Sequence, residues 1–289
     1  MREVVERFLA CLKDRRRYSG NTVSAYRNDL MQLIHFLSGR EVTDWRSVGK
    51  RDLVAFALDL QERGYAQSTV ARKLASIRSF CHYLTQSGHV PQDPTDGLDS
   101  PQVARRTPKT LSDREVALLL ELPARSQTPK GLRDRAILEL LYATGMRVSE
   151  LTALNAGDVD LDRGKVKCGA GTSSERVVPI NRDALRALRT YLEQGREELV
   201  QTPDERALFV NHRGERLSRQ GLWLVIKHYV RELGLGDNVT PHTLRHSAAA
   251  HKLRRGANLS EVQQLLGHSS PSSTQVYARI ARGSQSSER

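Results

Sequence analysis

A run of prolines about a third of the way along the chain constrains the fold more than any other feature. Four prolines lie close together there: Pro91, Pro94, Pro101 and Pro108. Proline blocks helix continuation and restricts the residue that precedes it. We therefore predict a linker at 89–110, with one domain at 1–88 and a second at 111–289. A chain of 289 residues is long enough to give each domain its own hydrophobic core.

The first predicted domain carries helical periodicity and no strand signal. Apolar side chains recur every three or four residues in four segments: 2–14, one that begins near Ser19, 50–63 and one that begins near Ser68. Serine before a helical segment is favourable because its side chain caps free backbone N–H groups. The sequence therefore predicts a small all-helical bundle.

The second predicted domain combines helices with a short stretch of strands. Ser112 and Glu115 have the spacing of a capping box, and a strongly apolar helix follows at 131–143. Apolar residues between 159 and 180 flank a glycine-rich turn at 169–173, a pattern typical of a small antiparallel sheet. Helical spacing returns in five later segments: 183–198, 217–233, 241–255, 260–267 and 271–280. The predicted fold class is mainly α with a small antiparallel β-sheet in the second domain.

The chain is strongly basic, with 45 Lys plus Arg against 33 Asp plus Glu and a formal net charge of +12. This excess favours a polyanionic partner, because neutralised phosphates release counterions. No stretch approaches the roughly 20 apolar residues that a membrane helix needs, and the charged N-terminus is unlike a signal peptide. Three cysteines without metal or disulfide spacing fit a reducing compartment, so we expect a cytoplasmic protein.

The C-terminal part contains the residues that point to a chemical function. His242 and Arg245, in the run His-Thr-Leu-Arg-His, are three residues apart and share a helix face. His268 and Tyr277 follow in the same helical stretch, and Arg147 comes from upstream, near a helix start that suits an anion. Arginine grips phosphate oxygens in bidentate fashion, and tyrosine is one of few side chains that attack covalently. In a basic chain this set indicates phosphodiester chemistry on nucleic acid.

Each of these residues also has a plain structural interpretation. Arg147 alone would simply pair with Glu150 one turn on, and an isolated Tyr277 would be a core residue. His242 and His246 have the i, i+4 spacing of a metal pair, but the glutamate of the zinc-hydrolase motif is absent from the sequence between them. The order and spacing of the whole set favour the phosphate site. We expect neither a metal nor a cofactor.

Three segments and one tyrosine form a combined motif. They read Ala-Thr-Gly-Met-Arg-Val-Ser-Glu-Leu at 143–151, His-Thr-Leu-Arg-His at 242–246 and Leu-Leu-Gly-His-Ser-Ser at 265–270, followed by Tyr277. The motif resembles that of the tyrosine site-specific recombinases of the phage-integrase family, most closely the bacterial XerC/XerD type. The likeness covers nearly the whole chain, including Asn-Thr-Val-Ser-Ala-Tyr at 21–26. It implies a two-domain, C-shaped clamp in which a helical core-binding domain and a catalytic domain close around duplex DNA.

The resemblance also implies a role for each residue of the motif. Tyr277 would be the nucleophile that forms a 3′-phosphotyrosyl link, with Arg147 and Arg245 clamping the scissile phosphate. His242 would assist proton transfer at the tyrosine, and His268 would donate to the phosphate. A covalent intermediate conserves the bond energy, so that strands would be rejoined without ATP or metal.

The predicted hairpin departs from the family pattern. The family carries Gly-Lys-Gly there, and its lysine protonates the leaving 5′-oxygen. Here that position falls on Ala170, or on Gly171 if the segment is aligned from Arg176. We hypothesise that the chain cleaves slowly or that Lys167 substitutes as the acid. Glu150 is expected to support the site by orienting it.

The resemblance implies double-stranded DNA as the partner and a synaptic tetramer, formed with copies of the chain or with a paralogous recombinase. The tail beyond Tyr277 is short and offers little for docking onto a neighbouring subunit. Basic residues outside the motif are candidate contacts to the DNA backbone, although a solvated face explains those of the first domain equally well. The candidates are Arg72, Lys73, Arg105 and Arg106.

The expected function is conservative site-specific recombination that resolves chromosome or plasmid dimers, with a part in chromosome partition and cell division. A mobile-element integrase or excisionase would share every residue of the motif. The absent hairpin lysine also leaves open a DNA-binding member with impaired catalysis. A type IB topoisomerase shares the tyrosine chemistry, but the small N-terminal bundle and short linker speak against it.

Overall fold

The computed structural model of the protein describes residues 1–14, 18–99, 108–172, 174–202, 205–268, 270 and 272–285. The chain divides into two compact units between residues 105 and 106. Two predicted DNA contacts, Arg105 and Arg106, lie outside the described residues. Within the described ranges, no helix combines the length and the apolar character needed to cross a membrane.

The first unit is an all-helical bundle, as the sequence predicts. Ser19 caps the second helix by accepting from the backbone N of Thr22. The core is aromatic at its centre, where the ring of Phe80 lies 5.3 Å from that of Phe8 and 4.8 Å from that of Trp45. The four helices of the unit are α1 (Arg2–Asp14), α2 (Gly20–Ser38), α3 (Lys50–Glu62) and α4 (Gln67–Gln86).

The first unit extends past its predicted limit at residue 88. Val90 and Leu98 are buried in its core, and the side chain of Arg78 on α4 donates to the carbonyl of Leu98 at 2.8 Å. The first half of the predicted linker therefore belongs to this unit, because apolar side chains among the prolines occupy buried positions.

A buried carboxylate joins α2 to α4. Asp29 is 1% exposed and accepts hydrogen bonds from Arg72, from the ammonium of Lys73 at 2.9 Å and from the hydroxyl of Ser76 at 3.0 Å. A charge is buried at high cost unless it is paired, which explains why two basic side chains turn towards this carboxylate. Lys73 therefore has no exposed charge to offer DNA, contrary to its predicted role, whereas Arg72 remains half-exposed.

The Asp29 network generates a prediction about stability. Asp29→Ala would leave Lys73 as a buried charge without its carboxylate. We expect the free energy of unfolding of the first unit to fall by about 3–5 kcal/mol, the usual cost of removing one partner of a buried pair. Urea unfolding followed by Trp45 fluorescence in a Trp223→Phe background measures this change in the first unit.

A second carboxylate in the same unit provides the control. Asp59 on α3 pairs with Arg63, the residue that caps the C-terminus of this helix, at 2.9 Å and near the surface. Helical surface pairs of this kind contribute about 0.3–0.5 kcal/mol, so Asp59→Ala should be nearly neutral. Equal losses for the two variants would contradict the interpretation of the buried network.

The second unit is mainly helical with a three-stranded sheet, which confirms the predicted fold class. A strongly apolar helix, predicted at 131–143 and observed at Pro129–Thr144, is buried on nearly all sides. The elements are α5 (Asp113–Glu121), α6 (Pro129–Thr144), α7 (Val148–Ala153), β1 (Val159–Asp160), β2 (Lys165–Cys168), β3 (Arg176–Pro179), α8 (Arg182–Thr190), α9 (Arg196–Leu199), α10 (Arg219–Glu232), α11 (Pro241–Arg254), α12 (Leu259–Leu266) and α13 (Ser272–Gln285).

One predicted helix is interrupted. The single helix expected at 183–198 is split into α8 and α9 by a π-helical turn at Tyr191–Gly195. Tyr191 is fully buried there and its hydroxyl donates to the carbonyl of Leu208 at 3.1 Å. The spacing of apolar residues does not predict this turn. The helix widens there so that Tyr191 can contact Leu208, which lies on another segment of the chain.

The sheet is antiparallel in the order β1-β2-β3. Val166 and Cys168 on β2 are buried, whereas Lys165 and Lys167 point to the opposite, exposed face. Cys168 is the register partner of Arg176 on β3, so the side chain of Arg176 starts from the buried face of the sheet. The sheet therefore directs one arginine into the unit, and both lysines away from it.

All three cysteines of the chain are free thiols.

Candidate active site

Helix α11 presents functional side chains at different depths. Thr240 caps it by accepting from the backbone N of Thr243 at 3.3 Å, and Pro241 occupies its first turn. Arg245 is buried, His246 is half-buried and His242 is exposed. How deeply each side chain is buried depends on the helices that pack against α11, which are α6, α12 and α13.

Two glycine carbonyls hold the two arginines of the motif. Gly145 ends α6 and Gly267 ends α12, both in the left-handed conformation with φ of +57° and +61°. Arg245 donates to the carbonyl of Gly145, and Nη2 of Arg147 donates to that of Gly267 at 2.9 Å. A Cβ at Gly267 would lie 2.9 Å from Nη1 of Arg176. Glycine is therefore needed here for both the backbone conformation and the close approach.

One carboxylate joins the hairpin to the start of α7. Glu150 accepts from Nη1 of Arg147 at 3.0 Å and from both terminal nitrogens of Arg176, at 2.9 and 3.2 Å. Arg176 also donates through Nε to the carbonyl of Leu265 at 2.8 Å. Burial opposes ionisation, but the hydrogen bonds from Arg176 and Arg147 outweigh it and hold the pKa of Glu150 below its ordinary value. Glu150 thus holds the guanidinium groups of Arg147 and Arg176 in place.

Arg176 was not predicted as a site residue. It reaches Glu150 because β3 turns its side chain inward, and the sequence contains no signal that separates it from another strand arginine. The site therefore holds three guanidinium groups, those of Arg147, Arg176 and Arg245, around the carboxylate of Glu150. Burial and the repulsion from Arg147 lower the pKa of Arg245 to about 10, so this side chain still carries its charge at neutral pH. The cluster has an excess of positive charge that an anion would balance.

Tyr277 lies beside this cluster and is 3% exposed. Its hydroxyl is 2.7 Å from Nδ1 of His246. The ring of His268 stacks on it with an interplanar angle of 18°. Burial raises the pKa of the phenol, and the charge of Arg245 partly offsets that rise. The tyrosine is therefore protonated at rest and needs a base in order to become a nucleophile.

The two histidines next to Tyr277 are neutral at neutral pH. Burial and then the positive charge of Arg245 and Arg147 lower the pKa of His268 to about 4. Burial, with repulsion from His242 and Arg245, lowers that of His246 to about 4 as well. Nε2 of His268 lies 3.1 Å from Nη2 of Arg245. Imidazoles in this state can accept a proton.

Two predicted site residues are not part of this group. His242 lies exposed on the first turn of α11 and makes no hydrogen bond within the described chain. The residue in contact with the tyrosine hydroxyl is His246, one turn further along. From the sequence, His246 was a candidate only as one half of a metal pair. Lys167 lies on the outer face of β2 and pairs with Glu175 at 2.9 Å. Ala170 is exposed in the turn that follows β2.

Within the described ranges, no group of three or more His, Cys, Asp or Glu side chains is arranged to hold a metal ion. His242 and His246 in particular have no carboxylate or thiolate with them that would complete such a site. The donors that converge here are guanidinium groups and neutral imidazoles, which suit an oxyanion.

Comparison with known families agrees with this geometry. Residues 109–283 match the phage integrase family, and residues 5–88 match the N-terminal SAM-like domain of phage integrases. Together these matches cover most of the chain. The protein therefore belongs to the phage integrase family, whose members are tyrosine recombinases.

The relatives narrow the class further. The chain is 52% identical to the tyrosine recombinase XerC of Roseiflexus castenholzii over 97% of its own length and 90% of that protein. It is 39% identical to the tyrosine recombinase XerD of Halalkalibacterium halodurans over 96% of its length and 93% of that protein. The protein is thus a tyrosine recombinase of the Xer type.

Solved structures share the fold. The structure of XerA recombinase is 26% identical, with a TM-score of 0.55 over 100% of this chain and 98% of that one. The post-cleavage complex of XerH with a palindromic difH substrate is 18% identical, with a TM-score of 0.76 over 98% of this chain and 82% of that one. At that identity the XerH comparison supports the fold alone.

Because His246 and His268 are buried in their neutral forms, we predict that acid destabilises the second unit. Both pKa values fall from the ordinary 6.5 to about 4 in the folded chain, so between these values the unfolded chain binds more protons. The stability that the neutral forms contribute is complete above pH 6.5 and is lost as the pH falls towards 4. We expect the free energy of unfolding to decrease over this window, and His246→Gln to make the decrease shallower.

The matched control is His228→Gln on α10, where the histidine is 65% exposed. The free energy of unfolding is measured by chemical denaturation at several pH values. Carboxylates also titrate in this range, but they are the same in all variants, so a difference in slope between variants reports the substituted histidine. His228→Gln should leave the slope as it is in the unaltered chain. If His246→Gln also left the slope unchanged, the buried neutral state of His246 would be refuted.

Proposed function

We propose that this protein cuts and rejoins double-stranded DNA at a specific site through a 3′-phosphotyrosyl intermediate. The observation that carries the proposal is a buried tyrosine whose ring stacks on His268, which in turn contacts Arg245. Arg245 belongs to an arginine cluster that has more positive charge than Glu150 can balance. A phosphodiester supplies the missing negative charge and the electrophile that a tyrosine attacks. The net charge of +12 favours the approach of DNA as a whole.

The residues divide the chemistry between them. Charge accumulates on the phosphate oxygens in the transition state, so cations that are fixed beforehand lower the barrier. Arg147 and Arg245 would clamp the non-bridging oxygens. As the oxygen of Tyr277 attacks phosphorus, its proton passes to Nδ1 of His246. The bond to the 5′-oxygen breaks, and that oxygen takes up a proton from water. Attack of a 5′-hydroxyl on the phosphotyrosine reverses these steps and rejoins a strand.

The biological setting is the Xer role. Relatives named XerC and XerD match nearly the whole chain, which supports resolution of chromosome or plasmid dimers, and with it chromosome partition and cell division in the cytoplasm. We propose that the two units close on duplex DNA and that four subunits, alike or of two kinds, form the synaptic complex. Integration or excision of a mobile element remains the alternative role for the same chemistry.

A single substitution tests the chemistry. We expect Tyr277→Phe to abolish the covalent protein–DNA product on a suicide substrate nicked near the cleavage site. The affinity for the duplex should be almost unchanged, because one hydroxyl contributes little beside many phosphate contacts. Denaturing gels measure the covalent product and gel shifts measure binding. A covalent product that persists in Tyr277→Phe would contradict the assignment of the nucleophile.

A second candidate function, binding of DNA with impaired cleavage, is favoured by Ala170 at the position of the family lysine. Because Lys167 is paired with Glu175 on the outer face of the sheet, we expect Lys167→Ala to leave the cleavage rate of a suicide substrate unchanged. Ala170→Lys places an acid on the exposed turn, and general acids contribute about 10²–10⁴-fold, so we expect this variant to cleave faster. A loss of rate in Lys167→Ala would make Lys167 the leaving-group acid instead.

A further inference from the structure

The segment 109–113, here called the junction segment, leads into α5 and lies against α11. The backbone N–H of Leu111 donates to the hydroxyl of Ser247 at 2.8 Å. Its carbonyl accepts a hydrogen bond from Nε2 of His251, also at 2.8 Å. All three residues are buried. Both backbone groups of one junction residue are thus bound by side chains of α11, the helix that carries Arg245.

Exposed polar contacts flank this buried pair of hydrogen bonds. The ammonium of Lys109 donates to the side chain of Asn238 at 2.7 Å. Asp113 accepts from Arg254 at 2.7 Å and from Arg255 at 2.8 Å. Exposed ion pairs contribute little, whereas a buried backbone group is rarely left without a partner. The buried contacts at the centre of the junction segment therefore fix it on α11 more firmly than the surface contacts do.

The side of α11 that binds the junction segment is opposite to the side that carries Arg245. Successive residues of an α-helix are about 100° apart around its axis. Ser247 and His251 are four residues apart and therefore share one side of α11, while Arg245 points to the other. The helix thus lies between the junction segment and the arginine cluster, so that a shift of α11 on one side moves the guanidinium on the other.

His251 extends the contact to α6. A carbonyl oxygen only accepts, so Nε2 of His251 carries the proton that binds Leu111. Burial lowers the pKa of His251, and the negative charge of Asp113 only partly offsets this effect, so the imidazole is neutral at neutral pH. Its Nδ1 is then an acceptor, and the hydroxyl of Tyr142 on α6 donates to it at 2.8 Å.

Helix α6 consequently contacts α11 at two polar points. Tyr142 binds His251, and Gly145, three residues later, accepts from Arg245 through its carbonyl. The same imidazole therefore joins the junction segment, α11 and the end of α6 that holds a site arginine.

We propose that Ser247 and His251 are positioning residues, which bind the peptide of Leu111 and so make the placement of Arg245 depend on how the chain enters the second unit. This inference rests on the proposed function for its effect on cleavage. Without the hydrogen bonds to Leu111, α11 loses a fixed point on its outer side, and the guanidinium is held less accurately for the transition state.

Two changes remove the same hydrogen bond from opposite ends. Ser247→Ala removes the acceptor, and replacement of the Leu111 amide by an ester removes the donor while every side chain stays as it is. We expect each variant to form the covalent product on a suicide substrate about 10-fold more slowly at saturating protein, because a small misplacement of a catalytic group is costly even when its cause is distant. Duplex affinity, measured by gel shift, should stay the same.

Tyr191→Phe is the matched control, because it also removes one buried hydrogen bond to the backbone of the second unit, that to the carbonyl of Leu208. We expect it to lower the unfolding midpoint about as much as Ser247→Ala does and to leave the cleavage rate unchanged. If both variants cleaved equally slowly, or if Ser247→Ala and the Leu111 ester cleaved at the rate of the unaltered chain, the proposal would be overturned.

The contacts themselves are read in the full-length chain without DNA. We expect amide hydrogen exchange at Leu111 to be slow in the unaltered chain and in Tyr191→Phe, and at least about 10-fold faster in Ser247→Ala, where the N–H has lost its acceptor. Nitrogen NMR with labelled histidine, assigned by the signal lost in His251→Gln, should show a protonated Nε2 and an unprotonated Nδ1 at His251. The reverse tautomer, or exchange that Ser247→Ala leaves unchanged, would refute the binding of Leu111.

These outcomes separate the inference from the proposed function. If the unaltered chain formed no covalent product with DNA, both would be rejected. If the unaltered chain cleaved and Ser247→Ala cleaved as fast, the function would stand and the positioning role would be rejected. Slow cleavage in Ser247→Ala and in the Leu111 ester, with normal cleavage in Tyr191→Phe, supports both.

Discussion

The second unit depends on how guanidinium groups are held without being neutralised. Arg147 and Arg245 donate largely to backbone carbonyls, those of Gly145, Gly267 and Leu266. A carbonyl satisfies an N–H donor but brings no negative charge, so the positive charge survives burial. Glu150 supplies one negative charge for the cluster. The site is thereby preorganised for an anion before any DNA arrives.

Backbone geometry makes this arrangement possible. The two glycines end α6 and α12 in a left-handed conformation, which turns their carbonyls towards the arginines and ends each helix at the site. A side chain at Gly267 would meet Arg176. The two glycines thus end two helices, orient the guanidinium groups of Arg245 and Arg147, and leave space for that of Arg176. The positions of α11 and α13 then decide which imidazole faces the phenol of Tyr277.

Local sequence predicted the elements well and their contacts poorly. Periodicity and capping residues gave the four helices of the first unit, the antiparallel sheet and the helices that carry Arg245 and Tyr277. The interruption at Tyr191–Gly195 and the burial of Val90 and Leu98 were not predicted, because both serve contacts between segments far apart in the chain. Lys73 was a candidate contact to the DNA backbone, yet its ammonium is paired with the buried carboxylate of Asp29.

The sequence by itself determined the class of the protein, since the order and spacing of Arg147, Arg245, His268 and Tyr277 are legible without a structure. Only the tertiary structure decided which neighbours those residues meet. Spacing along a helix says which side chains share a face, but the depth of each one depends on what packs there. For that reason His246 and not His242 touches the phenol, and Arg176 enters the site from a strand that looks unremarkable in the sequence.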